Sequence, residues 1–180
     1  GDAYNGGRGY DTLDLAGQSL AFEVDLRAGA LARADGEGAA RLVSMEDVAG
    51  GGRDDILFGN GRDNILAGNE GNDAILGRGR QDILTGGSGD DTLVGGGGPD
   101  TLGGGSGGDD MDGGARADDM AGEGGHDVMR GGNGGDAMRG NGGKDDMGGG
   151  RGKDAMDGGG KSDTMAGGNG DDTMTGGRGR

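Results

Sequence analysis

Acidic side chains recur every nine residues through most of this 180-residue chain. From residue 55 onward, fourteen consecutive repeats carry Asp, or in one case Asn, at the same position. These residues are Asp55, Asn64, Asp73, Asp82, Asp91, Asp100, Asp109, Asp118, Asp127, Asp136, Asp145, Asp154, Asp163 and Asp172. Regularly spaced carboxylates offer hard oxygen ligands, which suit a cation such as Ca²⁺. The repeated acid therefore favours cations as partners of this chain.

The composition argues against an ordinary hydrophobic core. Glycine supplies 54 residues, aromatic side chains only four, and 33 acidic residues outnumber 17 basic ones for a net charge of −16. Such a chain repels itself and has little apolar area to offset its backbone entropy, so alone it would be disordered. The charge disfavours nucleic acids and anionic membranes as partners and favours cations. No segment is apolar enough to span a membrane, and the absence of cysteine suits a secreted protein without disulfides.

Each repeat also has a fixed glycine and a fixed apolar residue. Glycine stands five residues before each acid, every nine residues from Gly50 to Gly176, and a large aliphatic residue or Met follows two residues after the acid. The apolar series is Leu57, Leu66, Ile75, Leu84, Leu93, Leu102, Met111, Met120, Met129, Met138, Met147, Met156, Met165 and Met174. This pattern, G-G-x-G-x-D-x-U-x, resembles the RTX (repeats-in-toxin, hemolysin-type) calcium-binding repeat. An isolated copy, GGRGYDTLD, occupies residues 6–14.

The resemblance implies an all-β fold, a right-handed parallel β-roll with two nonapeptide repeats per coil. The residues agree: GGSGDD suits a tight turn and TLV a three-residue strand whose middle side chain faces inward. Aspartates 18 residues apart would then stack about 4.8 Å from each other. We expect residues 50–180 to form this array, and residues 1–49 to form a flanking or capping β segment that contains the isolated repeat.

The same resemblance implies calcium ligands from the turns, with up to about twelve ions in the gaps between coils. The predicted carboxylate ligands are Asp73, Asp82, Asp91, Asp100, Asp109, Asp118, Asp127, Asp136, Asp145, Asp154, Asp163 and Asp172. The predicted backbone carbonyl ligands are those of Gly86, Gly95, Gly104, Gly122, Gly131, Gly140, Gly149 and Gly167.

Several repeats depart from the pattern at the fourth position, where glycine is replaced by Arg53, Arg62, Arg80, Arg116 or Lys161. A residue other than glycine is strained there if φ is positive, and its positive charge competes with Ca²⁺ for the nearby carboxylate. We therefore expect weak or empty sites in the turns 50–55, 59–64 and 77–82. The best sites should involve Asp91, Asp100, Asp109, Asp127, Asp136, Asp145, Asp154 and Asp172. Asparagine at the second position (Asn60, Asn69, Asn141) should be tolerated.

The outward positions of the first repeats are apolar. Ile56, Phe58, Leu76 and Val94 should share one face, which needs a cover. We expect residues 15–49 to provide it as two strands, 20–26 and 41–48, joined by a Gly/Ala-rich loop; a partner domain is the alternative. The eight methionines at the apolar repeat position, from Met111 to Met174, are expected to lie in the core rather than to form a ladder that binds a soft metal or takes part in redox chemistry. His126, the only histidine, is expected to be a solvated turn residue.

Nothing in the sequence arranges a nucleophile, a histidine and an acid for catalysis, so we expect the module not to be an enzyme. Our hypothesis is a secreted module that folds on binding calcium outside the cell, where the resemblance implies export by type I secretion. The chain starts and stops within repeat-like sequence, so we expect the rest of a parent polypeptide as a partner. The alternatives are the accessory roll of a secreted protease, lipase or mannuronan epimerase, and a spacer in a surface-layer or adhesin protein.

Overall fold

The computed structural model describes residues 3–33 and 40–177, and these residues form strands and turns only. The strands, in chain order, are β1 (Ala3–Asn5), β2 (Thr12–Asp14), β3 (Phe22–Asp25), β4 (Ala30–Arg33), β5 (Ala40–Val43), β6 (Asp47–Ala49), β7 (Ile56–Phe58), β8 (Ile65–Glu70), β9 (Ala74–Gly79), β10 (Ile83–Ser88), β11 (Thr92–Gly97), β12 (Thr101–Ser106), β13 (Asp110–Ala115), β14 (Asp119–Gly125), β15 (Val128–Asn133), β16 (Ala137–Gly143), β17 (Asp146–Arg151), β18 (Ala155–Asp157), β19 (Thr164–Asn169) and β20 (Thr173–Thr175). In this part of the chain no helix has the length and apolarity that crossing a bilayer requires.

From β7 onward, successive strands alternate between two parallel sheets. Sheet A has eleven strands in the order β1-β5-β4-β3-β7-β9-β11-β13-β15-β17-β19, and sheet B has nine in the order β2-β6-β8-β10-β12-β14-β16-β18-β20. Each strand therefore pairs with the strand two repeats later, as in Leu93↔Met111 between β11 and β13. This register confirms the predicted parallel β-roll with two nonapeptide repeats per coil.

The strands are longer than the sequence pattern predicts. Most of the repeat strands contain six residues, because the sheet pairing continues into the first three residues of the following repeat, as in TLVGGG of β11, although Gly96 there has a φ of 106°. The turns are correspondingly shorter than the six residues expected. The pairing is interrupted once per strand: β11 and β13 pair at Val94↔Asp112 and again at Gly96↔Gly114, which leaves Gly95 and Gly113 out of the ladder. Where the six-residue strands pair, this interruption falls at the first glycine of the repeat; the three-residue pairing of β7 with β9 ends before it.

The apolar residue of each repeat faces the space between the two sheets, as its alternation with exposed neighbours requires. The buried apolar residues are Leu13, Phe22, Val24, Leu26, Leu31, Leu42, Val48, Leu57, Leu66, Ile75, Leu84, Leu93, Leu102, Met111, Met120, Met129, Met138, Met147 and Met156. The core interpretation of the methionines is confirmed for these six. It is wrong for Met174, which is 51% exposed because β20 is the outermost strand of sheet B, and Met165 is only partly buried.

The N-terminal strands extend the roll instead of covering its face. β3 pairs with β7 in sheet A and β6 pairs with β8 in sheet B, so both sheets continue across residue 49. Phe58, Leu76 and Val94 do share one outer face, as predicted, but the expectation that residues 15–49 cover it is wrong for the described residues. The domain division at residue 49 stays a prediction.

The N-terminal strands differ in part from those expected. The segment 20–26 contains β3 as predicted, but 41–48 divides at Ser44, whose φ is 52°, into β5 of sheet A and β6 of sheet B. β4 was not predicted, and it forms an antiparallel hairpin with β3. The rest of the predicted Gly/Ala-rich loop, residues 34–39, lies outside the described residues, as do residues 1–2 and 178–180.

Backbone strain in the turns follows the prediction only in part. Arg80, Arg116 and Lys161 have positive φ, as expected of fourth-position residues, whereas Arg53 and Arg62 do not. At the second position, Asn69 and Asn141 have positive φ, and so do two residues that the sequence analysis did not single out, Arg78 (φ 86°) and Glu123 (φ 73°). Long side chains in this conformation are unusual and indicate that the surrounding coils impose it.

Candidate metal centre

The acidic residues form two rows, one along each edge of the roll. Ladder A precedes the strands of sheet A and contains Asp55, Asp73, Asp91, Asp109, Asp127, Asp145 and Asp163; ladder B precedes the strands of sheet B and contains Asn64, Asp82, Asp100, Asp118, Asp136, Asp154 and Asp172. Each lies two residues before an inward apolar residue, so its side chain also faces inward. All are buried except Asp163 and Asp172, which are half-buried in the last coils.

Oδ1 of each ladder aspartate from Asp73 to Asp172 accepts a hydrogen bond from a backbone N–H of the preceding coil. Oδ1 of Asp91 accepts a hydrogen bond from the backbone N–H of Asp73 at 2.7 Å, and Oδ1 of Asp109 accepts one from Asp91 at 2.9 Å. The same bond occurs along both ladders, from the Asp55 N–H to Asp73 in ladder A and from the Asn64 N–H to Asp82 in ladder B. It continues to Asp163 and Asp172, at distances up to 3.1 Å. Each aspartate therefore links two coils.

The other carboxylate oxygen has no partner among the described residues. Oδ2 is buried and without a hydrogen bond in Asp73, Asp82, Asp91, Asp100, Asp109, Asp118, Asp127, Asp136, Asp145, Asp154 and Asp163. An unpaired buried carboxylate oxygen is costly, so a stable roll requires either a proton or a cation at these oxygens.

The first glycine of each repeat makes room for this oxygen. A methyl group placed on Gly86 would overlap Oδ2 of Asp91 and would lie 2.6 Å from the carbonyl oxygen of Gly104 in the next coil. A methyl group on Gly95 would meet Oδ2 of Asp100 and the carbonyl oxygen of Gly113 in the same way. The inward face of each glycine is thus a small space shared by a carboxylate oxygen and a carbonyl oxygen, both of them acceptors.

Most of the predicted carbonyl ligands lie at such positions. The carbonyl oxygens adjoining these spaces include those of Gly86, Gly95, Gly104, Gly131, Gly149 and Gly167, all predicted, together with Gly68, Gly77, Gly113 and Gly158, which were not. The roles of the Gly122 and Gly140 carbonyls stay predictions. The assignment of any of these oxygens as a calcium ligand is likewise a proposal.

Burial raises the pKa of the ladder carboxyls. It raises the pKa of Asp73, Asp82 and Asp118 to about 7 and that of Asp109 to about 6. The backbone N–H donated to each carboxylate opposes this shift, while the carboxylates one coil away add to it, as Asp127 and Asp91 do for Asp109. The pKa values of Asp91, Asp100, Asp127, Asp136 and Asp145 are also raised, chiefly by burial. The interior of the roll therefore disfavours bare negative charge.

The first positions of both ladders are satisfied by the protein itself. Both oxygens of Asp55 accept backbone N–H bonds, from Phe22 and from Gly51. In Asn64, Oδ1 accepts the N–H of Asn60 and Nδ2 donates to the carbonyl of Glu46. This agrees with the expectation of weak or empty sites in turns 50–55 and 59–64.

The third turn expected to be weak, 77–82, is different. Oδ2 of Asp82 is buried and unpartnered, like those of the turns expected to be strong. The carboxylate geometry therefore does not separate Asp82 from the better-ranked aspartates.

The donor set fits a hard, oxygen-preferring dication. Cysteine is absent from the sequence and His126 is exposed in its turn, so the cysteine and histidine ligands typical of zinc sites are not at the ladders. Within residues 3–33 and 40–177, no group of three or more acidic or histidine side chains is close enough to hold a metal ion. Any ion here would therefore depend on backbone carbonyls as well as on carboxylates, which is a combination that Ca²⁺ accepts.

Comparison with known protein families identifies one family. A family profile described as RTX calcium-binding nonapeptide repeat (4 copies) matches residues 49–84, 76–111, 103–138, 112–147, 121–156 and 148–180. Together these matches cover residues 49–180 and include both ladders. No curated protein matches the chain.

Proposed function

This chain belongs to the family of RTX calcium-binding nonapeptide repeats, and we propose that it is a module whose folding is driven by calcium binding along the two ladders. The observation that carries the proposal is the repeated pair of buried acceptors, an aspartate Oδ2 beside a glycine carbonyl of the next coil. Calcium, when bound there, supplies positive charge and coordination for oxygens that no donor of the described chain reaches.

The proposed ligands are the carboxylates from Asp73 to Asp172 and the carbonyls of the first glycines. The eleven unpartnered Oδ2 atoms are close to the maximum of about twelve ions expected from the gaps between coils. With a net charge of −16, the chain has a further reason to fold only when dications neutralise it. Binding and folding would then be one event, because the aspartates adjoin glycines of neighbouring coils only in the rolled chain.

The array is a structural calcium-binding module. We propose that it acts outside the cell as a folding and spacing element of a larger secreted protein. Low calcium would keep the chain unfolded for export, in the way the family implies through type I secretion, and calcium outside would fold it. An accessory roll of a secreted enzyme and a spacer of a surface protein remain the alternative roles of the whole polypeptide.

Equilibrium dialysis of the purified chain against buffered calcium tests the binding. We expect several ions per chain, with Mg²⁺ failing to displace them because it demands octahedral geometry. The variant Asp100→Asn should bind fewer ions, and Asp110→Asn, which changes an exposed residue of β13, should bind the same number. Binding of at most one ion per chain would contradict the proposal.

A further inference from the structure

We infer that strands β1–β8, residues 3–33 and 40–70, form a calcium-independent cap that serves as the template on which the later coils stack. This inference rests on the proposed function, since it says where calcium-driven folding begins. We call this region the N-terminal cap. It differs from strands β9–β20 in its polar contacts, its core and its topology.

The first difference is that the cap closes its own ladder positions. Asp55 accepts N–H bonds from Phe22 at 2.6 Å and Gly51 at 2.5 Å, and Asn64 bonds to Asn60 at 2.8 Å and to the Glu46 carbonyl at 2.7 Å. From Asp73 onward, by contrast, Oδ2 has no partner in any buried ladder residue. At its repeat positions, Asp55 and Asn64, the cap therefore has no oxygen that a cation must satisfy. Among the described residues of the cap, Oδ2 of Asp11, just before β2, is the one buried carboxylate oxygen without a partner.

The second difference is that an arginine side chain and a backbone N–H group of the cap contact the carboxylate of Glu46. Arg62 pairs with the buried Glu46 at 2.8 Å, and Glu46 also accepts the N–H of Asp11. Because β2 pairs with β6 and β6 with β8, Asp11 and Glu46 continue ladder B beyond Asn64. The charge of Glu46 is balanced by Arg62, which is present with or without calcium.

One carbonyl of the cap accepts a side-chain hydrogen bond from within the cap, and another accepts one from β9, the first strand outside it. Nδ2 of Asn69 donates to the Gly50 carbonyl at 2.9 Å, and Arg78 of β9 donates to the Gly59 carbonyl at 2.6 Å. The Arg78 guanidinium also pairs with Asp25 at 3.2 Å and lies 5.5 Å from the centre of the Phe58 ring. The positive φ of Arg78 and Asn69 is consistent with side chains held in place for these contacts.

The third difference is the core and its topology. The cap buries Phe22, Val24, Leu31, Leu42 and Val48 in addition to the repeat leucines, and β3 and β4 form a local antiparallel hairpin. The 70 residues up to the end of β8 contain 14 glycines, whereas the 110 residues that follow contain 40, so the cap loses less backbone entropy for each residue ordered. More apolar burial and a lower entropy cost both favour folding without calcium.

A folded cap would present two complete strand edges to the rest of the chain. β7 pairs with β9 and β8 with β10, and the Asp55 and Asn64 N–H groups donate to Asp73 and Asp82 of the next coil. In a solenoid each coil depends mainly on its neighbour, so calcium-dependent folding would propagate from β9 toward β20.

Hydrogen exchange with mass spectrometry on the full chain, in chelator and in calcium, tests the inference. We expect cap amides in chelator to exchange at least about ten-fold more slowly than those of β9–β20, which corresponds to about 1.4 kcal/mol of local stability. Calcium should then protect β9–β20 strongly. If the cap exchanges as fast as β9–β20 in chelator while calcium protects both, the inference is overturned and the proposed function stands. If β9–β20 are equally protected in chelator and in calcium, the proposed function is overturned.

A variant converts a cap turn to the standard repeat. Arg62→Gly with Asn64→Asp restores glycine and aspartate at their repeat positions, so the cap should lose protection in chelator and regain it with calcium. Arg116→Gly is the matched control, because Arg116 occupies the same fourth position in a turn outside the cap, and its change should leave exchange of the cap in chelator unaltered. If the double variant and Arg116→Gly change the hydrogen exchange of the cap in chelator equally, the inference is overturned.

Discussion

The backbone N–H of Asp91 donates a hydrogen bond to Oδ1 of Asp109, 2.9 Å away in the next coil, while Oδ2 of Asp109 is buried without a partner. One residue thus holds two coils together with one oxygen and offers the other to a cation. The same relationship repeats along both edges of the roll, so calcium binding and coil stacking depend on the same side chains.

Replacing Asp109 should therefore weaken calcium-induced folding more than replacing Asn64. Asp109→Ala removes an oxygen proposed as a ligand as well as the hydrogen bond from Asp91, whereas both polar groups of the Asn64 side chain are already satisfied inside the protein. Each ion bound at about 100 times its dissociation constant contributes roughly 2.7 kcal/mol, so losing two shared sites should cost a few kcal/mol. Calcium titrations of the two variants, followed by circular dichroism, should give clearly different midpoints. Equal midpoints would refute the ranking.

Two adjacent glycines provide a sharper test of the cavity. In Gly104→Ala the new methyl group would overlap Oδ2 of Asp109, whereas in Gly103→Ala the nearest atom, Oε1 of Glu123, is 3.9 Å away. We expect Gly104→Ala to raise the calcium midpoint several-fold and Gly103→Ala to leave it near that of the parent. Similar midpoints for both alanine variants would show that the first glycine does not shape a binding space.

Acid should partly replace calcium. Burial raises the pKa of Asp73, Asp82 and Asp118 to about 7 and that of Asp109 to about 6, above the value of about 3.9 in an unfolded chain. The folded state therefore binds protons more tightly, so the stability of the calcium-free roll is greatest below about pH 4 and is lost as the pH rises through 6 to 7. Circular dichroism of calcium-depleted protein should show more β-structure at pH 5 than at pH 8. Unchanged or smaller β-structure at pH 5 would contradict this expectation.

Methionine oxidation should report the core. Met111, Met120, Met129, Met138, Met147 and Met156 are buried, and Met174 is 51% exposed. With calcium, peroxide should oxidise Met174 quickly and the six buried methionines slowly, and in chelator all seven should react quickly. Peptide mass spectrometry measures each rate, and the half-buried Met45, which does not belong to a repeat, serves as a comparison. Equal rates for the six methionines with and without calcium would mean that they do not line the core of a calcium-dependent fold.

The repeat region was predictable because one local rule applies fourteen times. Nine-residue spacing fixes which side chains face inward, and the 18-residue stacking of Leu93 on Met111 follows from two repeats per coil. The longer strands were missed because the glycines that lengthen them, such as Gly95 and Gly96, carry no side-chain pattern that marks them as strand. The exposure of Met174 depends on its place in the outermost strand, which the repeat itself does not encode.

The N-terminal cap was less predictable because its contacts join residues far apart in sequence without a common period. The Arg78–Asp25 pair spans 53 residues, and Glu46 takes a place in ladder B although it belongs to no repeat. Ser44 redirects the chain from one sheet to the other, which no hydrophobic alternation signals. The apolar outer residues suggested a covering segment, but edge pairing of β3 with β7 satisfies more backbone groups.

The most direct test of calcium-driven folding is a calcium titration of the intact chain by far-ultraviolet circular dichroism, beginning in chelator at neutral pH and repeated with magnesium. We predict a small β signal in chelator from the N-terminal cap, a steep cooperative increase with calcium as β9–β20 form, and little change with magnesium. A full β signal in chelator that calcium does not increase would contradict the account.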